Sequence, residues 1–333
     1  MCPSLFLKGK LMKSYQIENE HVLIEFLDYG GTITKMISKK TGTNFVLSYD
    51  EWESYYLNPY FFGATIGRNA GRTFPPHYIN SQKESVLLDT NEGNVHLHGG
   101  KNGVHQVIWE VSKSDESSYS LRYFDDSSNY DPIALKLVYR LEDNRFKIIM
   151  EGNSDVPTIC NLTNHMYFNL NQSKEYPITS HLLKIAPAKI QIIDEQFIPT
   201  GEYSTMAIPE YRQFNFLKEK PISKSLNLGT RLSKICADGI DLAYCFLKPE
   251  ESQPKITLTD EAKRNRLKIY SDQESCVVYT LNKLNRFLKV NGGTPIQKFG
   301  GVTFEMQRKP NYVHESAEAL STNYHAYTTF EIN

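Results

Sequence analysis

The sequence predicts an all-β fold, a large antiparallel β-sandwich with very few short helices. Three observations carry that expectation. Short runs of alternating apolar and polar residues recur from end to end, turn-forming Gly and Asn clusters separate them, and helical periodicity is scarce. Such a pattern suits two packed sheets rather than strands alternating with helices.

The elements follow in order. His21-Val22-Leu23-Ile24-Glu25-Phe26 and Thr32-Ile33-Thr34-Lys35-Met36-Ile37 alternate in strand fashion, punctuated by Gly30-Gly31 and Lys40-Thr41-Gly42-Thr43. Further strand-like runs lie at 85–88, 106–111, 119–123, 133–141, 145–151, 181–193, 255–258, 268–270, 276–281 and 326–332. Only 51–55 and 223–234 read as short helices, and Gly229 weakens the second. No repeat, low-complexity segment or linker interrupts the chain. Residues 1–333 are therefore expected to form one domain, with 1–13 a peripheral N-terminal extension.

Composition narrows the function. A net charge of −1 makes no electrostatic case for nucleic acid or an anionic membrane. Five scattered cysteines without a CxxC pair argue against a disulfide framework or zinc site and for a reducing cytoplasm. No apolar run reaches the 18 or so residues needed to span a bilayer, and the start lacks the features of a signal peptide.

Against this background Asn161-Leu162-Thr163-Asn164-His165-Met166-Tyr167-Phe168-Asn169-Leu170 is unusually rich in hydrogen-bonding side chains. Each of these, if buried, needs a partner. Read as a strand, the run places Thr163, His165, Tyr167 and Asn169 on one face, suited to gripping a hydroxyl-rich molecule. A core histidine in an irregular polar strand is the alternative.

Four more polar knots stand out. Around Gly67-Arg68-Asn69-Ala70-Gly71-Arg72 the glycines allow tight backbone beside two guanidiniums, which serve either as donors to hydroxyls or as surface charges. The spacing is not that of a phosphate loop. In Asn91-Glu92-Gly93-Asn94-Val95-His96-Leu97-His98-Gly99-Gly100, an extended segment puts His96 and His98 on one face. That invites a metal reading, but no third ligand stands nearby in sequence. Asp241 follows the turn Ala237-Asp238-Gly239-Ile240 and precedes an apolar run. In Gly301-Val302-Thr303-Phe304-Glu305-Met306-Gln307, alternation places Glu305 beside Thr303 and Gln307, either as a working carboxylate or as an edge-strand charge.

Taken in order, these motifs resemble the aldose 1-epimerase (galactose mutarotase) family over about residues 15–330. Weaker echoes sit at Phe197-Ile198-Pro199-Thr200-Gly201-Glu202 and Phe214-Asn215-Phe216. The resemblance implies a β-sandwich with an open sugar cleft, no metal and no cofactor. It implies Glu305 as general base and His165 as general acid, with Arg72, His98 and Asp241 binding sugar. Gln307 joins them on grounds of strand face alone. The implied substrate is a free aldose such as galactose or glucose, handled by a cytoplasmic monomer or homodimer. A non-catalytic sugar-binding protein and an epimerase for a hexose phosphate or disaccharide are the alternatives.

The chain departs from the family pattern where Leu242 follows Asp241, at Pro75-Pro76, at Asn129-Tyr130-Asp131-Pro132 and at Ser321-Thr322-Asn323. These positions bear on sugar preference more than on chemistry. Anomer interconversion needs one group to take the C1 hydroxyl proton and another to give a proton to the ring oxygen. The expectation from ordinary side-chain values is an ionised Glu305 that needs no special tuning, and a His165 held protonated by it.

Overall fold

The computed structural model describes residues 12–126, 129–204, 208–247, 251–316 and 318–333, so most of the expected N-terminal extension lies outside the described residues. Two antiparallel sheets dominate. The larger has nine strands in the order Lys220–Pro221, Leu182–Ile185, Ile256–Thr259, Arg266–Ser271, Leu320–Ile332, Arg145–Ile159, Ile133–Glu142, Ser118–Asp125 and Glu110–Asp115. The smaller has six: Tyr167–Phe168, Val302–Gln307, Ser275–Tyr279, Asp241–Phe246, Ala188–Ile193 and Pro199–Ser204. Strands Ser14–Glu18, Val22–Leu27 and Ile33–Ser38 form a third sheet.

The sheets pack through one continuous core. Leu137, Phe146, Ile148, Ile269 and Phe330 come from the larger sheet, and Leu242, Tyr244, Val278, Phe304 and Met306 from the smaller. Period-2 alternation then turns the neighbouring residues of the smaller sheet, among them Asp241, Ala243, Val277, Tyr279 and Glu305, to its other face. That face carries the cleft.

Where expected elements moved, local chemistry accounts for it. The run at 181–193 splits into Leu182–Ile185 and Ala188–Ile193 because Pro187, with no N–H to donate, sits where the chain passes from one sheet to the other. The stretch at 223–234 becomes a 3-10 turn, Ile222–Ser225, and a helix, Arg231–Ile235. Gly229 in the left-handed region (φ 69°) separates them, and the Thr230 side chain caps the helix by accepting from Ser233 N–H. The first helix is shifted to Ser54–Leu57, and the run at 106–111 gives way to a strand at Glu110–Asp115.

Candidate active site

A cleft of about 270 Å³ opens on the smaller sheet. Register builds its floor in two rows. Ala243 pairs with Val277 and Val277 with Glu305; one step along, Asp241 pairs with Tyr279, Tyr279 with Thr303 and Thr303 with Tyr167. A slip of one residue in any strand would carry its cleft residues into the core. Glu305 is therefore no edge-strand charge, because its strand is paired on both sides.

The 161–170 stretch is not one strand. Thr163–Asn164 pairs with Thr65–Ile66 and Tyr167–Phe168 with Val302–Gln307, leaving His165 and Met166 between two short pairings. The chain changes sheet here, so simple alternation does not apply. Asn164 and Asn169 serve the backbone instead: their amides donate to the carbonyls of Gly63 and of Tyr176 and Gly300. His165 lines the cleft, with Nε2 3.4 Å from Glu305 Oε1. Its Nδ1 has no hydrogen-bond partner among the described residues.

His98 completes a cluster around the carboxyl, with Nε2 4.0 Å from Glu305 Oε2. His96 does not accompany it. The strand ends at Leu97, and His98 takes a left-handed φ of 55°, so the two imidazoles diverge. His96 is wholly buried between Tyr130 OH (2.6 Å) and Asp89 O (2.7 Å). The expected shared face is thus corrected by one residue's backbone.

His98, His165 and Glu305 present ligand atoms all within 4.8 Å of one another, a set that chain distance had hidden. The tautomer speaks against a metal ligand at His98. Its Nδ1 accepts the Gly71 N–H at 3.3 Å, which leaves the proton of the neutral ring on Nε2, the atom facing Glu305. That arrangement suits hydrogen-bond donation into the cleft.

The two arginines separate cleanly. Arg68 is fully buried, donating to Ile159 O and Thr158 Oγ1, 3.4 Å from Asp125 and stacked over Tyr130. It belongs to the scaffold. Breaking such a buried pair from one side typically costs about 3–5 kcal/mol, so Arg68→Ala should lower the denaturant midpoint by a corresponding amount. Unchanged stability in urea unfolding would contradict this.

Arg72 lines the cleft and is held on three sides. Glu92 accepts from Nε and Nη2 at 2.6 and 2.9 Å, Asp241 lies 3.7 Å from Nη1, and Phe197 covers the guanidinium face at 4.8 Å. Lys283 sits on the same phenyl ring at 4.0 Å. Sequence reasoning missed Glu92, Phe197, Tyr279 and Lys283 as cleft residues. Glu92 stood in the His98 motif and Phe197 in a recognised echo, but neither carried a signal of direction. Gln307 shares the face of Glu305 but is wholly buried behind the wall: a Cβ on Gly71 would meet its Nε2 at 2.7 Å. The structure brings Arg72, His98, His165, Asp241 and Glu305 to one cleft and leaves Gln307 beneath it.

Burial reverses the expected protonation. Loss of water, aided by the Asp241 charge and opposed by Arg72, pushes Glu305 up to about 8. Burial pulls His165 down to about 3 and His98 well below its ordinary value. Between those limits the Glu305–His165 pair carries one proton, favoured on the carboxyl rather than on the imidazole. Burial also raises Asp241, with Arg72 pulling it back. For Glu92 the same burial is outweighed by the Arg72 hydrogen bonds, which hold it below the usual range.

The family match and its relatives define the class: this is an enzyme, an isomerase of the epimerase type. The chain belongs to the aldose 1-epimerase family, whose model matches residues 13–323. It is 28% identical over 312 residues to the galactose mutarotase of Mus musculus, covering 92% of this chain and 88% of that one. It is 24% identical over 315 residues to the maltose epimerase of Levilactobacillus brevis, with the same coverage of 92% and 88%. The fold is shared with the GalM/aldose epimerase homologue from C. elegans (TM-score 0.85, 19% identity, 97% of this chain and 99% of that chain). The galactose 1-epimerase from Lactobacillus acidophilus is similar too (TM-score 0.81, 24% identity, 97% and 98%). Among the described residues, no helix is long and apolar enough to cross a membrane.

Proposed function

We propose that this enzyme interconverts the α and β anomers of a free aldose, galactose or glucose being the natural candidates, with Glu305 as base and His165 as acid. The observation that carries the reading is the 3.4 Å approach of His165 Nε2 to Glu305 Oε1 in a cleft lined with hydrogen-bonding groups. Arg72, His98 and Asp241 are assigned to the sugar hydroxyls. The 4.0 Å between His98 Nε2 and Glu305 Oε2 is too long for a direct hydrogen bond, and a sugar hydroxyl bridging them would satisfy both. Gln307, buried with no partner for its side-chain amide among the described residues, is given no sugar contact in this reading. The reading needs no cofactor or metal and places the enzyme in the cytoplasm as a single sandwich unit.

In this mechanism the Glu305 carboxylate takes the C1 hydroxyl proton. The C1–O5 bond breaks, C1 becomes a carbonyl, and O5 takes the bond's electron pair and a proton from His165. Rotation about C1–C2 and reversal of these transfers give the other anomer. The pair holds one proton before and after. The working form is the tautomer with that proton on His165, which hydrogen bonds from the bound sugar to the otherwise unpartnered Glu305 Oε2 favour.

Polarimetry of freshly dissolved α-galactose, α-glucose and maltose tests the reading. Acceleration of none of them would refute it, and maltose turnover alone would move the substrate to the disaccharide that names the Levilactobacillus relative. The pH dependence is a separate expectation. A doubly protonated pair has no base and a bare pair has no acid, so kcat/KM follows the singly protonated form. It should stay flat across pH 5–7 and fall with a midpoint near 8 as Glu305 releases the last proton. A fall already complete by pH 7.5 would show ordinary, unshifted groups.

A further inference from the structure

Resting on the assignment of His165 as acid, we infer that Phe61 is a positioning residue that sets the orientation of the His165 imidazole by ring packing, whereas His98 is aimed by its bond from Gly71 N–H. A working histidine is normally aimed by a hydrogen bond to its second nitrogen. His165 Nδ1 has none among the described residues, so its ring is oriented by packing. Phe61 lies 5.6 Å from His165, 5.2 Å from His98 and 5.0 Å from His105, ring centre to ring centre. Tyr167 at 5.1 Å and His98 at 5.4 Å close two further sides of His165.

The backbone places this ring deliberately. Gly63 N–H donates to His165 O and His165 N–H to Ala64 O, which ties the segment after Phe61 to the histidine. Phe61 itself takes a left-handed φ of 58°, a conformation that costs energy for a bulky residue. Its neighbour Phe62 points into the core, packed on Tyr49 and Tyr167 at 4.8 and 4.9 Å. The left-handed turn thus sends Phe61 into the cleft among three imidazoles and Phe62 into the core.

Replacing the ring with a branched chain should loosen His165, while His98 keeps its bond from Gly71 N–H. For Phe61→Leu, kcat for mutarotation should fall roughly 10–100-fold, the scale of a misplacement near 1 Å. KM should stay within about threefold, since sugar-binding contacts remain. Phe61→Tyr, which keeps the ring, should hold kcat within about threefold of wild type.

The pH profile supplies the reading that a purely structural role would not move. The groups facing His165 are Glu305, His98, His105 and Tyr167, and burial is the main cause of its low value. Admitting water beside the ring raises that value toward 6.5, so Phe61→Leu should lose kcat/KM between pH 7 and 5 where wild type does not. Unchanged kcat and an unchanged acid side would overturn the inference. So would a rise in KM alone, which would make Phe61 a wall of the sugar site. Circular dichroism checks folding, and Phe61→Met is the second variant should Leu fail to fold. A wild-type enzyme inactive on every aldose would instead overturn the mutarotase reading.

Discussion

Replacing Glu305 with glutamine is expected to slow anomer interconversion by at least about 10²-fold, the usual contribution of one positioned acid or base. His165→Asn should do the same. Both substitutions keep much of the original shape, so sugar binding should persist in calorimetry or saturation-transfer NMR. The groups share one proton and work in the same step, since one gives while the other takes. The double variant should therefore be scarcely slower than the worse single variant. Stopped polarimetry on the three proteins measures this directly. Near-normal rates in Glu305→Gln, or losses that simply multiply, would break the coupled assignment and direct attention to Asp241, a cleft carboxyl whose value burial also raises.

For Arg72→Ala the expected loss of kcat/KM is roughly 10–100-fold, the scale of one or two charge-assisted hydrogen bonds. The guanidinium is part-exposed and its ties run to Glu92 and Asp241 rather than to the core, so the fold should be little affected. Its charge also lowers the Glu305 value. Removing it should raise that value, and the alkaline fall of kcat/KM should move to higher pH. Asp241→Asn should move the same limb downward, because the Asp241 charge raises Glu305. An Arg72→Ala enzyme with a collapsed melting temperature would mark a scaffold role like that of Arg68. A limb displaced to lower pH would show that the charge network has been read with the wrong sign.

The sandwich was legible because strand pattern is local: alternation and turn residues act over a few positions, and most expected strands lie within a few residues of their places. The misses have local causes as well. Pro187 divides a run between two sheets, and Gly229 divides a helix. The cleft was legible only as a set of motifs. Nothing near Gly67-Arg68 or Gly71-Arg72 tells which arginine the core encloses, because the deciding partners, Asp125, Thr158 and Ile159 for one and Glu92 and Asp241 for the other, come from elsewhere in the chain.

The sequence by itself determined which residues are chemically able to act and that alternation places Glu305 opposite the core side of its strand. Tertiary structure alone decided how they meet and in what state. One left-handed residue parts His98 from His96, and a change of sheet at His165 overrides the alternation expected there. Burial then moves the proton of the pair from imidazole to carboxyl. Side-chain identity sets the ordinary acidity of a group, but the water around it sets which form is stable, and that water is removed only when the two sheets and their loops have closed over the site.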